Sequence, residues 1–219
     1  MRLAAAITMF AAGSVFAMEL PVEKQITHAP YGHVLTNTSV WSHDGRWLVY
    51  DVRSADNVFD GTRIERVNVD TGSVEVLYES RNGAKCAVAS FHPTEAKVVF
   101  LEGPEDPSDD WNYGPSRRHG RWLQTDQPGR AHNLDAMNYA PPFAQGALRG
   151  GSHLHVFSPD GLWVASTYED EILVRAERAG LAGAQKINAM SWCPCRQSVP
   201  CTWRLHIPVI ATEIIFPWP

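Results

Sequence analysis

The phrase Trp41-Ser42-His43-Asp44-Gly45-Arg46-Trp47-Leu48-Val49-Tyr50 returns as Phe157-Ser158-Pro159-Asp160-Gly161-Leu162-Trp163-Val164-Ala165-Ser166. A more divergent copy lies between them at Phe91-His92-Pro93-Thr94-Glu95-Ala96-Lys97-Val98-Val99-Phe100. In each copy an aromatic residue precedes a tight polar turn and then an alternating apolar strand. One such hairpin cannot bury its own apolar face, so its repetition predicts a radial or stacked β architecture in which neighbouring units cover one another. The repeat constrains the fold class strongly and the chemistry hardly at all.

Around these phrases the alternation predicts strands at 47–52, 62–69 and 74–78, with Asp70-Thr71-Gly72-Ser73 as the last turn of the first unit. The second unit reads as strands at 86–91, 97–101, 120–124 and 130–134. It is interrupted at 102–115 by a stretch too rich in proline and acid for a ladder strand, hence a surface loop. Loops of this length inside a compact domain are often functional. The third unit reads as strands at 152–157, 162–168 and 171–175.

Two ends differ from this pattern. Arg2, the apolar run of residues 3–12 and the small residues Gly13-Ser14-Val15-Phe16-Ala17 match a secretory signal cleaved after Ala17. The run is too short for a membrane span, which needs about 20 apolar residues. The expected destination is the periplasm. The competing reading is a cytoplasmic protein with a spurious upstream extension. Beyond residue 178 charges become scarce and alternation stops. Residues 179–219 therefore read as an irregular tail, supplied by a change of reading frame or disordered. In this stretch Cys193, Cys195, Cys201 and His206 are nominal zinc ligands, but the paired Cys-x2-Cys knuckle of structural zinc sites is missing. Cys86 stands alone in a strand, so the four cysteines do not form a disulfide framework.

A net charge of −5 without a basic stripe argues against nucleic acid as a partner. The short cluster Arg117-Arg118-His119-Gly120-Arg121 reads as a solvated loop or strand edge. There is no nucleophile elbow, phosphate loop or dinucleotide fingerprint.

The turn phrases resemble those of TolB-like β-propellers. Several stretches are similar, more narrowly, to the YidR-like bacterial family. They are Ile26-Thr27-His28-Ala29-Pro30, His33-Val34-Leu35-Thr36-Asn37-Thr38, Arg63-Ile64-Glu65-Arg66-Val67-Asn68, Gly146-Ala147-Leu148-Arg149-Gly150-Gly151-Ser152-His153-Leu154-His155-Val156 and Thr167-Tyr168-Glu169-Asp170. The resemblance implies an all-β fold, a partial propeller of about three four-stranded blades over residues 18–178. It would be a fragment of a six- or seven-bladed toroid of about twice this length.

Candidate chemistry centres on His153 and His155. On a regular strand, residues two apart share a face, about 7 Å apart, and two imidazoles side by side can bind Zn²⁺ or Mn²⁺. The alternative is that they fill space and hydrogen-bond neighbours. Arg149, Gly150 and Gly151 before them could meet an anionic ligand, with glycine allowing close backbone approach. His28 and His33 are weaker metal candidates. The acids between Glu102 and Asp110 suit Ca²⁺ in type but not in spacing, and Trp111 and Tyr113 beside them could stack a sugar or peptide.

Two functions follow as expectations. One is a non-enzymatic binding or scaffold module with a protein or carbohydrate ligand. The other is a metal-dependent lyase, implied by a distant resemblance to oligogalacturonate-lyase propellers. In it His153 and His155 would hold the metal, with Arg149 as carboxylate partner or base.

Overall fold

The computed structural model describes residues 22–35, 37–134, 136–145, 147–181, 188–194 and 204–206. These form three antiparallel four-stranded sheets, each assembled in simple sequence order. The first contains β1 (Gly32–Val34), β2 (Trp47–Arg53), β3 (Arg63–Asn68) and β4 (Val74–Glu79). The second contains β5 (Cys86–Phe91), β6 (Lys97–Glu102), β7 (His119–Gln124) and β8 (His132–Asn133). The third contains β9 (Gly150–Phe157), β10 (Trp163–Asp170), β11 (Asn188–Pro194) and β12 (Arg204–His206). One helix, α1 (Glu171–Arg178), leaves the end of β10. The all-β expectation holds with that addition. The expected signal segment at 1–17 lies outside the described residues. Among the described residues no helix is long and apolar enough to cross a membrane.

The repeated turn is built from the same bonds in its outer copies. Ser42 Oγ donates to Asp44 and accepts from the Trp47 amide, while Asp44 accepts from the Arg46 amide. Ser158, Asp160, Leu162 and Trp163 repeat these contacts one for one. The glycine between them takes a positive φ in both copies, +68° at Gly45 and +72° at Gly161, a conformation costly for a residue with a Cβ. In the middle copy an imidazole replaces the serine: His92 Nδ1 accepts from the Thr94 and Glu95 amides.

The sheets stack in sequence order, and the middle one is covered on both faces, so every residue of β5 and β6 is buried. Val98, Phe100 and Leu123 join Val49, Ile64 and Leu77 in a core between the first and second sheets. The alternate residue Val99 packs with Leu134, Phe157 and Val164 between the second and third. This period-2 division of one strand between two cores lets consecutive hairpin units bury each other. The inner edges also meet: Asn37 Nδ2 donates to Ser90 Oγ at 2.7 Å and to the His155 carbonyl at 3.2 Å, joining the first sheet's lead-in to β5 and β9.

Two expectations require correction. Residues 171–175, read as a strand, begin α1. Asp170 caps the helix by accepting from the Leu173 amide, Glu171 sits in its first turn, and Arg175 and Arg178 in its last, each favourable to the helix dipole. Within residues 179–219, read as an irregular tail, 188–194 and 204–206 supply the backbone of β11 and β12. The free edge of β10 is paired along its length, from Trp163↔Pro194 to Glu169↔Asn188.

Candidate functional site

The inner strand β9 is less regular than its sequence implies. Leu154 has φ +55°, and the pairing register with β10 shifts between Ala165 and Thr167. This is a β-bulge, so the alternation that would set His153 and His155 on one face is interrupted here. The second sheet carries the same device at Val88, with φ +59° and a shift between Ala87 and Ser90. There Asp51 Oδ1 accepts the Val88 amide, and Asp51 is itself paired with the fully buried Arg53.

His155 is fully buried and bonds Ser152 Oγ through Nε2 at 3.0 Å. His153 is half-buried beside it. A third imidazole joins them, His119 at the start of β7, which lies 3.8 Å from Glu102. Burial is the main force on all three. It pushes His119 down to about 4, helped by Arg121, and His153 to about 4, helped by Arg118. His155 falls to about 3 through burial, then through His153, His119 and Arg118. All three rings are therefore neutral at physiological pH. His119 and Arg118 come from the basic cluster expected to be solvated, and burial of that cluster is what the spacing of its charges concealed.

The other candidates lie differently. Arg149 is engaged by Asp170 at 2.6 Å. The space that Gly150 and Gly151 leave open holds the chain's own backbone. A Cβ on Gly150 would meet the Glu169 carbonyl, and one on Gly151 the Pro115 carbonyl at 2.1 Å. His28 is exposed. His33 packs between the rings of Tyr31 and Tyr50, with its Nε2 buried and unbonded among the described residues. Among the described residues no three His, Cys, Asp or Glu side chains form a metal-ligand group. His153 and His155 thus gain no third ligand there. Of the tail's nominal zinc ligands, Cys193 and His206 lie on the β11 and β12 backbone, while Cys195 and Cys201 fall outside the described residues.

The loop at 102–115 does more than cover an edge. Tyr113 stacks on Phe59 and lies under Arg118. Its acids disperse, with Glu102 bonded by Tyr78 and Arg121 and Glu105 by Asn82. Trp111 faces α1. The guanidinium groups of Arg117 and Arg175 each lie 5.3 Å from its ring centroid, and both donate through Nε to Glu171 Oε1, at 3.1 and 2.8 Å. Glu171 is fully buried. Burial pushes its pKa up, but Ser116, Arg175 and Arg117 outweigh this and hold it below the usual carboxylate value. Here Trp111, Arg117, Arg175 and Arg178 line a cleft of about 500 Å³ with Asp109 and Asp110.

The model of a family described as "Protein of unknown function (DUF3748)" matches residues 85–194, half of the chain. The chain belongs to this family. Over 150 residues it is also 48% identical to "Uncharacterized protein YidR" of Escherichia coli (strain K12), a match covering 68% of this chain and 35% of that relative. The chain thus spans about a third of the length of the relative it matches. The DUF3748 match begins beside β5 and ends with β11. It therefore takes in His119, His153 and His155, the 102–115 loop and α1, and runs past the boundary at 178 that composition suggests.

Proposed function

We propose that this DUF3748 chain is a run of three blades of a TolB-like β-propeller and serves as a non-catalytic binding module exported to the bacterial envelope. The observation that carries the reading is the hub at Asn37, whose amide ties the lead-in of the first sheet to β5 and β9. With it goes the atom-by-atom repetition of the Ser-x-Asp-Gly turn in the first and third sheets. First strands that converge while later strands spread outward are the arrangement of propeller blades.

The non-catalytic part rests on how the polar residues near β9 are used. Arg149 is committed to Asp170, the glycines accommodate neighbouring backbone, and His155 is sealed against Ser152. Export rests on the charge, apolar run and small residues of 1–17.

Elemental analysis of the purified chain and of the full-length relative tests the first claim, with His153→Ala and His155→Ala alongside. Neither protein should carry stoichiometric metal, and neither should release unsaturated products from oligouronides. Stoichiometric Zn or Mn lost in both variants would establish the metal-dependent lyase instead. For export, the mature protein in a periplasmic fraction should begin at Met18. An intact Met1 in the cytoplasm would refute that part.

A further inference from the structure

The cleft between the 102–115 loop and α1 has the chemistry of a carboxylate site, and we infer that it binds a small organic carboxylate carrying a flat face. Arg117 is the reason. Its residue is only 8% exposed, yet its single side-chain hydrogen bond among the described residues runs from Nε to Glu171. Its two Nη groups have no hydrogen bond there, although the side chain lines the cleft. A guanidinium held through Nε offers the Nη pair as a fork, the geometry that accepts a carboxylate through parallel bonds. Desolvating an arginine this deeply is costly, and Glu171 also serves Arg175 and Ser116, so it compensates Arg117 only in part.

The remaining walls define the rest of the ligand. Trp111 lines the cleft with the Arg117 and Arg175 guanidinium groups over its ring, so a planar group that enters meets indole and guanidinium together. Tyr139 meets that ring edge-on at 5.0 Å and holds its orientation. The loop is preorganised by reciprocal backbone bonds between Ser108 and Trp111. Arg178, exposed at the end of α1, adds a second cation at the rim, and Asp109 and Asp110 supply acceptors for ligand hydroxyl or amino groups. The cleft thus combines an anchor for negative charge, a stacking wall and a polar rim, the composition of a small-molecule site.

This inference deepens the binding-module reading and rests on it, but its test is separate from the metal assay. Benzoate and its neutral isostere benzamide are titrated into the intact chain by calorimetry and saturation-transfer NMR, with inorganic phosphate as a third probe. Benzoate should bind about tenfold more tightly than benzamide. Arg117→Gln should abolish that preference. Because this change also touches Glu171, Arg178→Glu provides a surface control. It should weaken benzoate several-fold while leaving the far-ultraviolet spectrum unchanged and lowering the melting temperature only by the small amount expected of an exposed charge at a helix end. Equal affinity for benzoate and benzamide, or no binding of either, would overturn the assignment. So would phosphate binding as tightly as benzoate, which would mark a general anion site without use of the indole wall. None of these results depends on whether the chain carries metal.

Discussion

His92 Nε2 donates to the carbonyl of Gly161 at 3.1 Å, so the turn of the second sheet is bonded to the turn of the third. The tautomer follows from the other side of the ring, where Nδ1 accepts two amides and must lack a proton. The contact leaves no space above Gly161: a Cβ there would lie 2.2 Å from the imidazole. Gly45 has nearly the same φ but nothing within 4 Å. Gly45→Ala should therefore cost only the left-handed backbone penalty, about 1–2 kcal/mol. Gly161→Ala should cost at least about 2 kcal/mol more, because the ring and its bond must move. Adding His92→Ala should recover part of that excess. Equal losses in denaturant melts of the two glycine variants would show that the turns do not couple the sheets.

Asp51, paired with Arg53 on the same strand, forms a second link between sheets. Both side chains are fully buried, and Asp51 also accepts the amide of the left-handed Val88. Asp51→Asn keeps the shape but leaves Arg53 without its charge partner, a change that typically costs about 3–5 kcal/mol. Asp51→Asn with Arg53→Met should lose less than Asp51→Asn alone. If the single variant melts within about 1 kcal/mol of the parent, the bulge at Val88 does not need its carboxylate.

The Gly150-Gly151 pair distinguishes packing from ligand approach. Gly151 lies where its Cβ would be 2.1 Å from the Pro115 carbonyl and 2.8 Å from the Arg117 amide. Gly151→Ala should lower stability by about 2–4 kcal/mol without any ligand present. It should also disturb Arg117, whose backbone is displaced. Unchanged melting would mean that the opening at Gly151 serves something other than the 115–117 segment.

Much of the fold was legible because its strands obey a period of two and its turns repeat. Residues 47–52, 86–91 and 97–101 are short, largely apolar runs bounded by turn residues, and the structure places β2, β5 and β6 there within one residue. One miss was local and the others were not. Ile172-Leu173-Val174 suit a strand by residue type, and only the Asp170 cap and the terminal charges turn them helical. Leu154 and Val88 gave no sign of a positive φ, which their side chains disfavour and tertiary bonds impose. The basic run at 117–121 looked solvated because the acid that buries Arg117 is Glu171, 54 positions away in the chain. For the same reason the candidate cleft was half visible: Trp111 stood out in its loop, but its arginine partners did not.

The three neutral imidazoles of His119, His153 and His155 predict an acid-sensitive fold. Their folded pKa values, about 4, 4 and 3, lie below the ordinary value of 6.5. Below pH 6.5 the unfolded chain therefore takes up protons that the folded chain refuses. Stability is fully present above that pH and falls as the pH drops toward 4, levelling off only below the folded values. For His155 alone the loss between pH 7 and pH 5 is about 2 kcal/mol. Glu102 works in the opposite direction, since burial raises its pKa and the folded chain gains its proton first. Comparison at pH 5 and 7 in Glu102→Gln separates the two effects. In His155→Gln, which keeps a partner for Ser152 but cannot titrate, the stability difference between pH 5 and 7 should shrink by about 2 kcal/mol. A pH dependence identical to that of the parent would mean that His155 is protonated in the folded chain and is not the sealed, neutral ring its burial implies.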